Sequence, residues 1–255
     1  MRDLHMHTIY SDGKNVAEDM ILTAIEKGLD CVGISDHSHA AYDECAMTPE
    51  GTRAYRKEIE ALKKKYADRI RVLCGLERDY YSDDTQEYDY VIGSVHAVRM
   101  PDGHYIIVDW TPERLAADVE KYYQGDWYAL AEDYFGLVGQ VMEKTGCEIV
   151  GHFDLITKFN EQQFWFDTAY PRYVKAWQQA ADRLLDKGAI FEVNTGAMSR
   201  GYRTEPYPAR EIREYIARNG GTMIPASDAH QKENIAYGFE PILEELEGYA
   251  EEAEE

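Results

Sequence analysis

Seven short apolar segments separated by longer amphipathic stretches point to an α/β barrel with a parallel sheet, folded as one domain. The alternation runs from end to end, as strands joined by crossover helices require. No GxGxxG or Walker turn marks an open nucleotide-binding sheet. Six of the seven segments run into a His, Asp or Glu, and a closed barrel would gather those ends on one face.

The first strand is expected at Arg2 to His7. Asn15 to Lys27 follows with Val16, Met20, Ile21, Ala24 and Ile25 on one helical stripe, and Gly28 supplies a C-cap. The second strand is Cys31 to Ser35, and Thr48 can cap a helix that opens with Pro49. Ile70 to Glu77 and Tyr90 to Val95 read as the third and fourth strands. Val98 to Asp109 reads as a loop around Pro101-Asp102-Gly103, after which Thr111 and Pro112 repeat the capping device. Ile149 to His152, Ile190 to Asn194 and Thr222 to Pro225 complete the strand set. The helical stretches Ala169 to Lys187 and Pro208 to Asn219 end at Gly188 and Gly220. The clusters Tyr122-Tyr123-Trp127-Tyr128-Tyr134-Phe135 and Phe164-Trp165-Phe166 read as core or helix packing, with room for one ring to stack on a substrate. Residues 1–239 are expected to form the barrel, and 240–255 an acidic tail that is a solvated helix or a frayed end.

Composition narrows the chemistry. Net charge is -21; the tail holds eight Glu and no Lys or Arg, and leaving it out still gives -13. Such a balance opposes nucleic acid, which needs basic side chains to displace counterions. It also repels an anionic substrate unless bound cations reverse the local field. No apolar run is long enough for a membrane span, so a soluble, cytoplasmic protein without a membrane partner is expected; oligomeric state is not readable. Cys31, Cys45, Cys74 and Cys147 lack CxxC spacing and predict neither disulfides nor a thiolate metal site.

The strand ends offer nine candidate ligands: His5, His7, Asp12, His37, Glu77, His96, His152, Asp228 and His230. Residues i and i+2 of a strand point the same way, so His5 with His7, and Asp228 with His230, can grip one ion together. Imidazole and carboxylate suit zinc, iron or manganese, and the supply is enough for two or three divalent ions if Glu77 bridges. A lone strand histidine is more often a satisfied core residue, and shared placement is what argues otherwise here. His39 and His104 fall in loops and are read as ordinary surface residues, while Asp36 could orient a ligand imidazole. Lys158, Arg200 and Arg203 follow the fifth and sixth strands and would rim the same face as phosphate-binding groups, or else be solvated loop charges.

Asp3-Leu4-His5-Met6-His7-Thr8 with Ser11-Asp12-Gly13, Ser35-Asp36-His37, Gly93-Ser94-Val95-His96, Gly151-His152-Phe153-Asp154 and Ser227-Asp228-Ala229-His230 together resemble the polymerase and histidinol phosphatase (PHP) family nearly end to end. The resemblance implies a distorted barrel of seven βα units with a trinuclear centre. By it, His5, His7, Glu77 and Asp228 would hold the first metal, Glu77, His96 and His152 the second, and Asp12, His37 and His230 the third. Within the family, Tyr90 to His96 and Glu192-Val193-Asn194-Thr195-Gly196 are similar to the stand-alone histidinol-phosphatase branch of histidine biosynthesis. Asp12 stands where some relatives place a His, and Ser35 replaces a commoner Thr.

The expected reaction is metal-dependent hydrolysis of a small phosphate monoester, L-histidinol phosphate first among them. Glu77, Asp228 and His230 are the candidate catalytic groups. Alternatives are a phosphoesterase of the same family acting on nucleotide or sugar phosphates, a metal-dependent amidohydrolase, and a non-catalytic binding module.

Overall fold

Residues 1–254 are described by a computed structural model. Seven parallel strands lie in the order β1 (Arg2–Asp3), β2 (Cys31–Ile34), β3 (Arg71–Asp79), β4 (Tyr90–Ser94), β7 (Ile149–Val150), β8 (Ile190–Asn194) and β9 (Thr222–Ala226). Beyond β1 and β9 the edges meet: Met6 bridges Ala229 in parallel register, and the His7 amide donates to the Ala229 carbonyl at 2.9 Å. The sheet is therefore a nearly closed barrel, as expected.

The segment read as a loop between β4 and the next helix is instead an antiparallel hairpin, β5 (Ala97–Arg99) with β6 (Tyr105–Ile107). Its Pro101-Asp102-Gly103 is the turn, with Gly103 at a φ of 91° that L side chains rarely adopt. The strands flanking the site are shorter than the sequence suggests. Arg2 to His7 supplies only two ladder residues and Ile149 to His152 another two, because the chain leaves the ladder to turn its histidines inward.

Helices cover the outside: α1 (Ala17–Glu26), α2 (Pro49–Lys65), α3 (Pro112–Tyr123), α4 (Trp127–Val138), α5 (Val141–Thr145), α6 (Asn160–Gln163), α7 (Pro171–Leu185), α8 (Gly196–Ser199), α9 (Arg210–Arg218) and α10 (Phe239–Glu254). The two expected caps are present, Thr48 accepting from the Gly51 amide at 3.0 Å and Thr111 from the Arg114 amide at 3.3 Å. Tyr134, Phe135 and Phe166 are core, whereas Phe164 is exposed. The acidic segment forms α10, and its first turns belong to the barrel wall. Phe239 and Ile242 are buried, and Glu245 clamps Arg213 of α9 at 2.9 and 3.0 Å. Among the described residues no helix is long and apolar enough to cross a membrane.

The barrel interior holds Leu4, Tyr90, Ile92, Ile149 and Ile224. Tyr90 spans the floor and donates to the Leu4 carbonyl, and Gly33 and Gly75 make room for it: a Cβ at either would lie 2.1 Å from its ring or hydroxyl. The bulk below the strand ends is thus solid, and donor side chains collect above it.

Candidate metal centre

Eight of the nine candidate ligands sit at, or within four residues of, the C-terminal end of a strand, and Asp12 comes from the loop after β1. Glu77 lies within β3, and His37, three residues past β2, bridges to it in parallel register. His96 and His152 follow β4 and β7 by two residues, and Asp228 and His230 follow β9. Asp228 has a φ of 47°, a left-handed conformation that costs a non-glycine residue on the order of 1 kcal/mol and recurs at functional turns. Opposite it, Gly196 permits close approach: a Cβ there would lie 2.5 Å from Asp228 Oδ2.

All nine candidates converge. Glu77 is central: Oε2 lies 3.3 Å from His5 Nε2, 3.5 Å from His7 Nε2 and 2.9 Å from His37 Nδ1. Its Oε1 lies 2.8 Å from His152 Nε2 and 3.3 Å from His96 Nε2. Asp228 Oδ1 stands 3.2 Å from His7 Nε2 and 3.8 Å from His5 Nε2. Asp12 lies 3.6 Å from His7, 3.7 Å from His37 and 3.1 Å from His230. Three donor groups could each hold an ion: His5, His7 and Asp228; His37, Glu77 and His96; and His7, Asp12, His37 and His230. They match the partition implied by resemblance in outline. They differ in placing His7 also with the third group and His37 also with the second, and in leaving Glu77 out of the first and His152 out of the second, where it meets the cluster through Glu77.

The residues fit cations on a physical test. His5 Nε2, His7 Nε2 and Glu77 Oε2 are buried without a hydrogen-bond partner, and such atoms are costly unless a ligand satisfies them. Burial opposes charge on Glu77, yet His37, His5 and His96 hold its carboxyl well below the ordinary range. Likewise Arg200 and His5 keep Asp228 ionised. Burial opposes charge on His37 too, but Glu77 and Asp12 raise its pKa to about 9; burial and the neighbouring His230 and His37 push His7 down to about 3. Carboxylates that draw protons onto surrounding imidazoles mark positions where metal cations can replace those protons.

Two supporting residues escaped the sequence reading. Glu192 of β8 meets His5 Nδ1 at 2.8 Å, and Asp79 of β3 meets His96 Nδ1 at 3.1 Å, leaving each Nε2 turned inward. Their signal was inward strand parity next to a ligand strand: Asp79 is two residues from Glu77. Asp36 does not orient an imidazole. It takes the Thr8 amide and hydroxyl, both at 2.7 Å, and the Ser11 amide at 3.2 Å, fixing the loop that delivers Asp12.

The three basic candidates separate. Arg200 donates to His230 Nδ1 at 2.6 Å and Asp228 Oδ2 at 3.1 Å, beside the donors. Lys158 donates to the Asp109 carbonyl at 2.7 Å and lines a cavity shared with Asp12, His37 and His96. Arg203 is elsewhere: its buried guanidinium touches Thr157 and lies 3.4 to 3.6 Å from Asp154, Glu161 and Glu205. It does not rim the donor face because those carboxylates draw it inside. His39 pairs with Asp83 and His104 with Asp118, both outside the centre.

The PHP domain model matches residues 3–196, three quarters of the chain. The chain belongs to the PHP family. Among PHP relatives, the "Probable histidinol-phosphatase" of Schizosaccharomyces pombe is 26% identical over 262 residues, covering 92% of this chain and 82% of the relative. A Listeria monocytogenes protein solved under the name histidinol phosphatase has a TM-score of 0.81 at 22% identity, covering 94% of this chain and 99% of that one. The histidinol phosphate phosphatase of Lactococcus lactis, solved with zinc, L-histidinol and phosphate, has a TM-score of 0.69 at 21% identity, covering 91% and 86%. Both structures share the fold.

Proposed function

We propose that this PHP protein hydrolyses a phosphate monoester with divalent cations at the donor cluster, and that the ester is L-histidinol phosphate. The reading is carried by the buried, unpartnered His5 Nε2, His7 Nε2 and Glu77 Oε2 facing one another at 3.3 and 3.5 Å. It is supported by likeness over 92% of this chain to the relative named "Probable histidinol-phosphatase" and by the ligands bound to the Lactococcus lactis relative.

Bound zinc, iron or manganese would be held by His5, His7, Asp12, His37, Glu77, His96, His152, Asp228 and His230, and would supply Lewis-acid stabilisation and a water of lowered pKa. Glu77 shares its two oxygens between donor groups. Asp228, kept anionic in spite of burial, accepts the proton that the attacking water loses. When His230 turns Nε2 to a cation its proton must reside on Nδ1, facing the Asp228 carbonyl at 2.9 Å. Arg200 then loses its acceptor on that ring, and its guanidinium becomes available for a phosphoryl oxygen. Lys158 lines the cavity beside Asp12, His37 and His96, where its charge is shared with Asp109.

Purified protein should carry two to three equivalents of metal and release phosphate from L-histidinol phosphate in preference to a mononucleotide. Preference for the nucleotide would replace the substrate, and full activity after complete chelation would end the mechanism.

A further inference from the structure

One wall of the centre carries acid where a phosphatase has least use for it. Outward from Asp12, His37 and His96, a cavity of about 260 Å³ continues between Tyr42, Asp43, Ile107, Asp109, Trp110 and Lys158. This is a small-molecule volume, near the low end of the ~300–1,000 Å³ common for ligand pockets. Lys158 Nζ lies 3.6 Å from the Asp109 carboxylate, so one positive charge faces two negative ones. A phosphate held at His37 and His96 would be repelled by that balance. Carboxylates on this wall favour binding only if the part of the substrate between phosphate and wall is positively charged.

The remaining lining agrees. Trp110 is 41% exposed, and its ring already takes one cation, the Arg114 guanidinium 5.4 Å from the ring centroid, which shows the kind of group this indole accepts. Tyr42 is locked in place: its hydroxyl donates to Asp79 Oδ2 at 2.7 Å and its ring stacks on Tyr105 at 4.5 Å. Asp79 in turn holds His96, so the wall and the donor cluster are built from one hydrogen-bonded unit.

We infer that this cavity is the leaving-group subsite and selects a cationic alcohol, with Asp109 accepting from the substrate's ammonium or imidazolium N–H and Trp110 covering it. The inference rests on the phosphatase reading above. It extends that reading by assigning specificity to a wall that holds none of the nine donors beyond Asp12, His37 and His96.

The test compares kcat/KM for two cationic esters, L-histidinol phosphate and O-phosphoethanolamine, with that for uncharged propyl phosphate. In Asp109→Asn the cationic-to-neutral ratio should fall about ten- to hundredfold, the worth of one charge-assisted hydrogen bond. A ratio that stays within about twofold of wild type overturns the subsite, whether both esters lose activity together or neither does. A shared loss would mark Asp109 as structural or as a proton donor. If Asp109→Asn does not fold, Asp43→Asn is read by the same ratio. Alongside it, L-histidinol should inhibit wild-type propyl phosphate hydrolysis more strongly than an uncharged alcohol of equal size, and equal inhibition overturns the proposal. Wild-type enzyme that cleaves O-phosphoethanolamine and propyl phosphate but not L-histidinol phosphate refutes the substrate proposed above, and the O-phosphoethanolamine ratio alone then decides the subsite.

Discussion

Two buried charge clusters, which come close in sequence only at His152 and Asp154 and at Arg200 and Arg203, differ in how they are neutralised. Around Arg203, the carboxylates of Asp154, Glu161 and Glu205 enclose an organic cation supplied by the chain itself. Around Glu77, six histidines and two further carboxylates converge, yet inward-facing nitrogens and an oxygen remain without partners. Arg203 Nε and Asp154 Oδ1 also lack hydrogen-bond partners, but the chain's own guanidinium lies among those carboxylates, whereas no Lys or Arg of the described residues sits among the inward-facing donors around Glu77. Arg200 and Arg203, separated by two residues, fall on opposite sides of that division. Neither charge content nor an unsatisfied buried atom identifies a site by itself; several metal-ligating atoms turned toward one centre do.

The sharpest way to break the contrast is Glu77→Gln, which keeps shape and removes the shared charge. It should strip bound metal and lower kcat by about a thousandfold or more, as loss of several kcal/mol of Lewis-acid assistance implies. Retained metal with normal turnover would show that Glu77 is ordinary core. In the first cluster, Arg203→Met leaves Asp154 buried and uncompensated. That should cost about 3–5 kcal/mol in urea unfolding while metal content per chain stays as in wild type. An unchanged unfolding midpoint with a raised KM would instead move Arg203 to the substrate.

Glu192→Gln weakens the grip on His5 from outside and should reduce metal affinity about 10- to 100-fold, measured by competition with a chelating dye. The pH dependence has a definite sign. Although burial disfavours its charge, Glu77 and Asp12 raise His37 to about 9, so at neutral pH the empty centre holds a proton there that a metal must displace. Affinity should consequently rise with pH up to about 9, by about tenfold per unit for each proton released. A flat profile between pH 6 and 9 would exclude His37 as a ligand. His39→Ala, outside both clusters, should change stability by no more than ~0.5 kcal/mol and leave metal content intact.

The barrel and its donors were legible because strand ends are positions the period-two and helical patterns locate well, and all nine candidates meet there. Less local features were not. The β5–β6 hairpin was hidden by the Pro101-Asp102-Gly103 turn, which reads equally as loop punctuation, and its strands are only three residues each. Asp36 adjoins His37 in sequence but serves Thr8 and Ser11, whereas Glu192 serves His5 from 187 residues away. Arg203 follows its strand just as Arg200 does; burial by acids drawn from three segments could not be seen in one dimension. The acidic C-terminal segment concealed Phe239 and Ile242, whose burial outweighs the charge around them.

The seam where Met6 meets Ala229 gives the centre an unusual dependence on time. His5 and His7 come more than 200 residues before Asp228 and His230, and they become neighbours only when β9 docks beside β1. Closing so long a stretch is entropically expensive, and a cation gripped from both sides of the seam offsets that cost in the finished barrel. A nascent barrel therefore has no working centre until β9 has been made, and metal uptake reports closure of the barrel rather than preceding it.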